Sequence, residues 1–170
     1  MLHESLWGYP TVATVHVMAL SVFVGVTVIL DFRLLGVRLQ HVRVSEVIDQ
    51  LWPWMLAGLA VMLLSGSLLF YSDPVRYYPN IFLRFKLVML IAAGMNALIF
   101  HRSVCRGVAD WDLGSVAPRG ARVAALLSLV FLAGIILAGR MIAYYDEWFD
   151  CDRQPRSAIV TYIAGCEDSR

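Results

Sequence analysis

One histidine, His16, stands inside an otherwise uncharged run from Val12 to Leu30. Neutral imidazole is a common ligand of haem iron and a proton carrier near neutral pH. Directly after the run comes Leu30-Asp31-Phe32-Arg33-Leu34-Leu35-Gly36, an acid and a base at its far end. Arg84 and Lys86 open a later apolar run, His101 and Arg102 close it, and Arg140 sits in the last turns of a further one. Ionisable side chains within such runs are costly, so they face a bundle interior, pair, or mark a functional path. They carry the candidate chemistry of this chain. Other constellations are missing. Cys105, Cys151 and Cys166 match no zinc or redox spacing. Met18, Met55, Met62, Met89, Met95 and Met141 are scattered singly, which suits packing rather than the clustered thioethers that hold Cu(I). No Gly-rich phosphate loop and no G-x-S-x-G elbow occurs, so a stand-alone catalyst is not expected.

The elements that must position these residues follow from composition. Hydrophobic residues make up 59% of the 170, and charged residues only 16%; mean hydropathy is +0.68. Ordinary soluble domains have roughly 45–50% apolar and about 25% charged residues. About 20 apolar residues span a bilayer core as a helix. The expected fold class is therefore an all-α integral membrane protein, four transmembrane helices in an antiparallel bundle. The spans are expected at about 11–36, 54–71, 81–101 and 122–145. Residues 1–148 would form the membrane domain and 149–170 a polar tail outside it. The first run is too long for a signal h-region and has no basic residue before it, so it reads as a retained helix. A net charge of +1 and no basic motif exclude a nucleic-acid partner.

Local signals refine the connections. Ser45 would cap a short amphipathic surface helix carrying Val44, Val47, Ile48 and Leu51 at helical spacing, and Trp52-Pro53-Trp54 would mark the interface and start the second span. Ser72-Asp73-Pro74 would end that span, with Tyr77-Tyr78-Pro79-Asn80 a turn in an aromatic belt. Gly58, Ser65, Gly66 and Ser67 in the second span, the Ser21/Gly25 pair in the first and the Gly134/Ala138 pair in the fourth would let helices come close.

Four spans put both termini on one side. The connections 33–50 and 101–122 hold seven of the fourteen Lys and Arg residues. Several of the others lie in the tail or within span ends, so the positive-inside rule favours these connections in the cytoplasm and both termini outside. Cys151 and Cys166 would then lie in an oxidising compartment and could form a disulfide closing the tail.

With that topology the polar groups fall into two layers. The outer layer holds His16, Arg84, Lys86, Arg140, Tyr144 and Asp146; the inner layer holds Asp31, Arg33, His101 and Arg102. At about 1.5 Å rise per residue, His16 and His101 differ in depth by about 20 Å, so they do not share one haem or metal ion. The outer layer suits a b-type haem, with His16 as iron ligand and Arg84, Lys86 and Arg140 on the propionates. A second iron ligand is not evident; Met141 and His3 are the candidates. In the plainer alternative, His16 hydrogen-bonds a neighbouring helix and the cations meet Asp73, Asp146, Glu147 or lipid phosphates. In the inner layer, Asp31 and Arg33 point about 160° apart on a helix and do not pair. A charged span end that snorkels to water is one reading; a proton or ion path through Asp31 and His101 is the other, with only Thr27, Ser65 and Asn96 between the layers to carry it. Asn96 suits an interhelical hydrogen bond.

His16, the L-D-F-R-L-L-G segment 30–36, Trp52-Pro53-Trp54, Ser65-Gly66 before Leu68-Leu69-Phe70, Phe85-Lys86-Leu87, Asn96-Ala97 with Phe100-His101-Arg102, and Arg140 together resemble a family of small bacterial four-span membrane proteins of unknown function. The resemblance covers residues 10 to about 146. It implies a bacterial inner-membrane protein and no activity. A looser likeness to copper-resistance-type and cytochrome-b-type four-helix membrane modules rests on span count and one histidine, and fold likeness does not carry function. Three classes of function remain: a subunit of a larger complex that transfers electrons through haem b, a non-redox accessory subunit that packs on a membrane-protein partner or on further copies of itself, and a small proton-coupled transporter.

Overall fold

A computed structural model describes residues 7–103, 111–112 and 117–145. The described residues form four long helices and one short one: α1 (Gly8–Leu34), α2 (Val44–Ser72), α3 (Pro74–Tyr77), α4 (Ile81–Ser103) and α5 (Arg119–Ala143). Each of the four long helices is long and apolar enough to cross a membrane. No strand occurs among the described residues, and the fold is the four-span helical bundle expected. Large apolar side chains such as Met18, Leu64, Ile91 and Val130 are exposed on the outside of the bundle, the surface a lipid environment requires.

Helix α1 stops where its sequence supplies a stop. The N–H of Gly36 donates to the Arg33 carbonyl at 3.1 Å and that of Val37 to the Phe32 carbonyl at 3.0 Å. This pair of bonds is a Schellman closure, which needs a left-handed residue; Gly36 provides it at φ 71°. Helix α2 differs from the expectation. It runs unbroken from Val44 through Pro53, so the surface helix and the second span are one element and Trp52-Pro53-Trp54 does not start it. Pro53 deprives the Asp49 carbonyl of its helical donor. Asp49, Gln50 and Pro53 are all exposed, so that carbonyl can be solvated instead. Ser45 is not the N-cap either. Arg43 holds that position without a capping side chain, and the acceptor comes from the other connection: Asp112 Oδ1 takes the Ser45 N–H at 2.8 Å and Asp112 Oδ2 takes the Ser45 hydroxyl at 2.6 Å.

Helix α2 packs on α1, α1 on α5 and α5 on α4, while α2 and α4 make little backbone contact. The ring of helices is thus open along one seam. The α1–α2 crossing lies at Gly58, where a Cβ would stand 3.1 Å from the Phe23 Cβ. Ser21 and Gly25 are exposed and have no such role; a Cβ on Gly25 would meet nothing. Gly134 does face a neighbour: a Cβ there would lie 3.6 Å from the Met89 sulfur of α4.

The densest packing is at the end holding the two connections, called here the loop end. Leu30, Leu34, Val44, Val47, Ala117, Ala121 and Ala125 form a buried cluster, with Trp111 and Phe100 packed on it. Trp111 therefore joins the core. Arg33 is also there, fully buried, and does not snorkel to water. Its Nε donates to the Val42 carbonyl at 2.8 Å and its Nη2 to the Asp112 carbonyl at 3.4 Å. A guanidinium with fixed, divergent donors suits this task, because both connections present backbone carbonyls to it.

Candidate functional site

At the opposite end, the termini end, His16 projects from α1 beside α2. Its Nδ1 lies 2.8 Å from the Ser65 hydroxyl. That hydroxyl has one proton, and the Val61 carbonyl takes it at 2.6 Å. Ser65 therefore accepts, and the neutral imidazole carries its proton on Nδ1. Nε2 is then the nitrogen left with a lone pair. Gly66 makes room for this arrangement, since a Cβ there would lie 3.2 Å from His16 Cε1.

The ring lines two adjoining cavities in the open seam, of about 270 and 350 Å³. Lys86 of α4 lines both, as do Gly66, Phe70 and Leu83. The Lys86 ammonium is turned toward α5, where Gly139 leaves it space: a Cβ on Gly139 would be 3.5 Å from Nζ. One basic imidazole nitrogen and one ammonium thus share an apolar cleft. Arg84 and Arg140 do not line it. Arg84 donates to the Tyr78 carbonyl at 3.3 Å and lies over the Tyr78 ring. Arg140 donates to the Tyr144 hydroxyl at 2.7 Å and lies over that ring. Met141 is outside the lining too. His3, Asp146, Glu147, Cys105, Cys151 and Cys166 fall outside the described residues.

The α4 wall of the cleft is set by two asparagines. Asn80 is buried just before α4, and its Oδ1 accepts the N–H groups of Phe82 and Leu83 at 3.0 and 3.2 Å, an N-cap. Its Nδ2 reaches the Ile142 carbonyl of α5 at 3.5 Å. The sequence placed Asn80 in a turn; an Asn directly before an apolar run was the available capping signal. Asn96 bridges the same two helices, donating to the Ala124 carbonyl at 2.8 Å.

Asp31 and His101 both lie at the loop end of the bundle. They line a third cavity of about 420 Å³, together with Thr27, Asn96, Ser128 and Trp52. Trp52 of α2 stacks on His101 of α4, ring centroids 5.9 Å apart, and closes the seam there. Asp31 is buried at 4% exposure. Ser128 lines the cavity beside it, and Oδ2 has no hydrogen-bond partner among the described residues. Arg102 is exposed and lines none of these cavities. Among the described residues the third cavity shares no lining residue with the two that contain His16, so His16 and His101 serve separate places.

Among the described residues no group of three or more His, Cys, Asp and Glu is placed to hold a metal ion. What the described chain offers is single ionisable groups in apolar cavities between helices. Fold and site together define a multi-pass, all-helical membrane protein with clefts at both ends of one helix seam. Over residues 8–145 the chain matches a family described as Family of unknown function (DUF6644), and it belongs to that family. No curated protein and no solved structure matches it.

Proposed function

We propose that this protein is a small subunit of a bacterial inner-membrane complex, with both termini on the outer side, that holds haem b near the outer face for electron transfer. His16 would hold the iron through Nε2, and Lys86 would pair with a propionate. The observation that carries this is the fixed tautomer of His16. An imidazole that ligates iron needs its other nitrogen held by a partner that orients the ring, and Ser65 holds Nδ1 at 2.8 Å beside an apolar cavity. Bound haem would supply one-electron chemistry; the chain supplies the ligand, the orientation and a dry surround. Lys86 takes the propionate role ahead of Arg84 and Arg140 because, of the three, it lines the cavities.

The test is a dithionite-reduced minus oxidised visible spectrum of protein purified from haem-supplied cells. Sharp b-type bands that vanish in His16→Ala, with expression intact, are expected. A flat spectrum from the wild-type chain would refute the reading. It would leave the second one, a non-redox accessory subunit. The exposed apolar side chains Val15, Met18, Val22 and Ile29 along α1 favour that reading, since a partner helix could cover them. A reproducible co-purifying membrane protein in mild detergent would support it.

A further inference from the structure

A haem at the termini end leaves the loop-end cavity without a task. We propose that this cavity is a separate binding site for an amphiphilic organic ammonium, a protonated amine carrying a compact apolar or aromatic body, with the Asp31 carboxylate as its counter-ion. Three observations define the ligand. The first is volume. About 420 Å³ is the scale of a small-molecule site and far exceeds what a bare cation fills.

The second is chemistry of the walls. They are mostly apolar, from residues such as Leu30, Met55 and Phe100, with the Trp52–His101 stack at one edge. No Lys or Arg is among the described residues that line the cavity. Arg33, two positions from Asp31, is turned to the carbonyls of Val42 and Asp112. The third is the carboxyl itself. It is nine-tenths buried and keeps Oδ2 without a hydrogen bond among the described residues. An ionised carboxyl in such surroundings is costly unless a cation joins it. An N–H of an ammonium would supply both the charge and the missing donor, and the apolar body would fill the remaining volume. A neutral apolar molecule would leave Oδ2 unserved, and a hydrated metal ion would leave the apolar walls wet.

The full-length protein in lipid nanodiscs would be equilibrated with radiolabelled 2-naphthylmethylammonium, and with 2-naphthylmethanol as the uncharged match. Saturable binding of the ammonium is expected, with the alcohol at least tenfold weaker. Asp31→Asn, which keeps the shape and removes the charge, should weaken the ammonium roughly 30-fold or more, the scale of removing one partner of a buried charge pair. Because that variant alters a buried group, a second one keeps Asp31 intact. Gly94 lines the cavity, and a Cβ there has nothing within 4 Å, so a larger side chain can be placed at the wall without meeting a neighbour. Gly94→Phe should therefore abolish binding while the protein keeps its elution volume and helix content. His16→Ala should bind as the wild type does, which separates this site from the haem reading. Equal binding of the ammonium and the alcohol, or an unchanged affinity in Asp31→Asn, would overturn the proposal and mark the cavity as a place for lipid tails. Loss of binding in His16→Ala with retention in Gly94→Phe would overturn it as well, by moving the ammonium to the other end.

Discussion

Replacing Arg33 tests how the loop end is held. Its guanidinium is fully buried and joins the two connections, α1–α2 at Val42 and α4–α5 at Asp112. The 2.8 Å bond to Val42 is charge-assisted and should contribute about 1.5–3 kcal/mol. The 3.4 Å bond to Asp112 is long and should add less than about 1 kcal/mol. Arg33→Ala also leaves a void beside Leu34 and Val44 and an orphaned carbonyl at Val42, so a loss of about 3–5 kcal/mol is expected in total. Arg33→Met keeps most of the volume and should lose about 2 kcal/mol. At about 2–4 °C per kcal/mol for a chain of this size, Arg33→Ala should melt at least about 6 °C below wild type, with Arg33→Met between them. Tryptophan fluorescence in detergent is the assay, because Trp111 packs on this cluster. Melting of both variants within about 1 °C of wild type would refute the reasoning. It would mean that the guanidinium's burial cost cancels its bonds, which is a known outcome for buried charges.

Ser65→Ala removes the partner of His16 Nδ1; in the haem reading, haem affinity should fall about 10- to 100-fold, measured by titration of the reconstituted protein. Asn80→Ala strips the N-cap of α4 and a tie to α5, and should lower stability by about 1–2 kcal/mol in the same melting assay. Asp112 has its carboxyl held below the usual carboxylate range, chiefly by the Ser45 hydroxyl and then by the Ser45 N–H, against an opposing effect of burial that outweighs the smaller contribution of the Arg43 charge. A pKa lowered by folding contributes stability that is present above the unfolded value and is lost as pH falls through the folded one. Wild type should therefore lose melting temperature on acidification below the ordinary aspartate range more steeply than Asp112→Asn, and equal slopes would contradict the cap.

The four spans were legible because each is a long uncharged run, and a bilayer leaves such a run one backbone solution. The polar layers were legible for a related reason: a histidine or aspartate inside a run stands out against apolar neighbours, and helical rise alone separates His16 from His101. Partners across helices were not legible. Nothing local to Ser65 says that it will meet His16, a contact 49 positions apart, and nothing near Ser45 says that Asp112, 67 positions on, will cap α2. The same blindness made the Trp52-Pro53-Trp54 segment look like a helix start. Proline favours a first turn, but it is tolerated inside a helix where the freed carbonyl can be solvated, and exposure at Asp49 and Gln50 is a tertiary fact.

Arg84 and Arg140 show how depth alone misleads. Their positions put them at the level of His16, yet each lies against a tyrosine ring on the outside of the cleft, where a cation gains from the aromatic face at little desolvation cost. Lys86, one residue-pair further along α4 than Arg84, is rotated about 200° around the axis and so turns inward. Rotation about the helix, rather than depth, decides which cation can serve a ligand beside His16. The same rule separates Asp31 from Arg33 at the other end. One faces the seam and lines a cavity, and the other faces the connections and bonds their carbonyls. Each end of the bundle thus sorts its charges by helical phase into one group that holds the fold or its rim and one that lines the seam between α2 and α4.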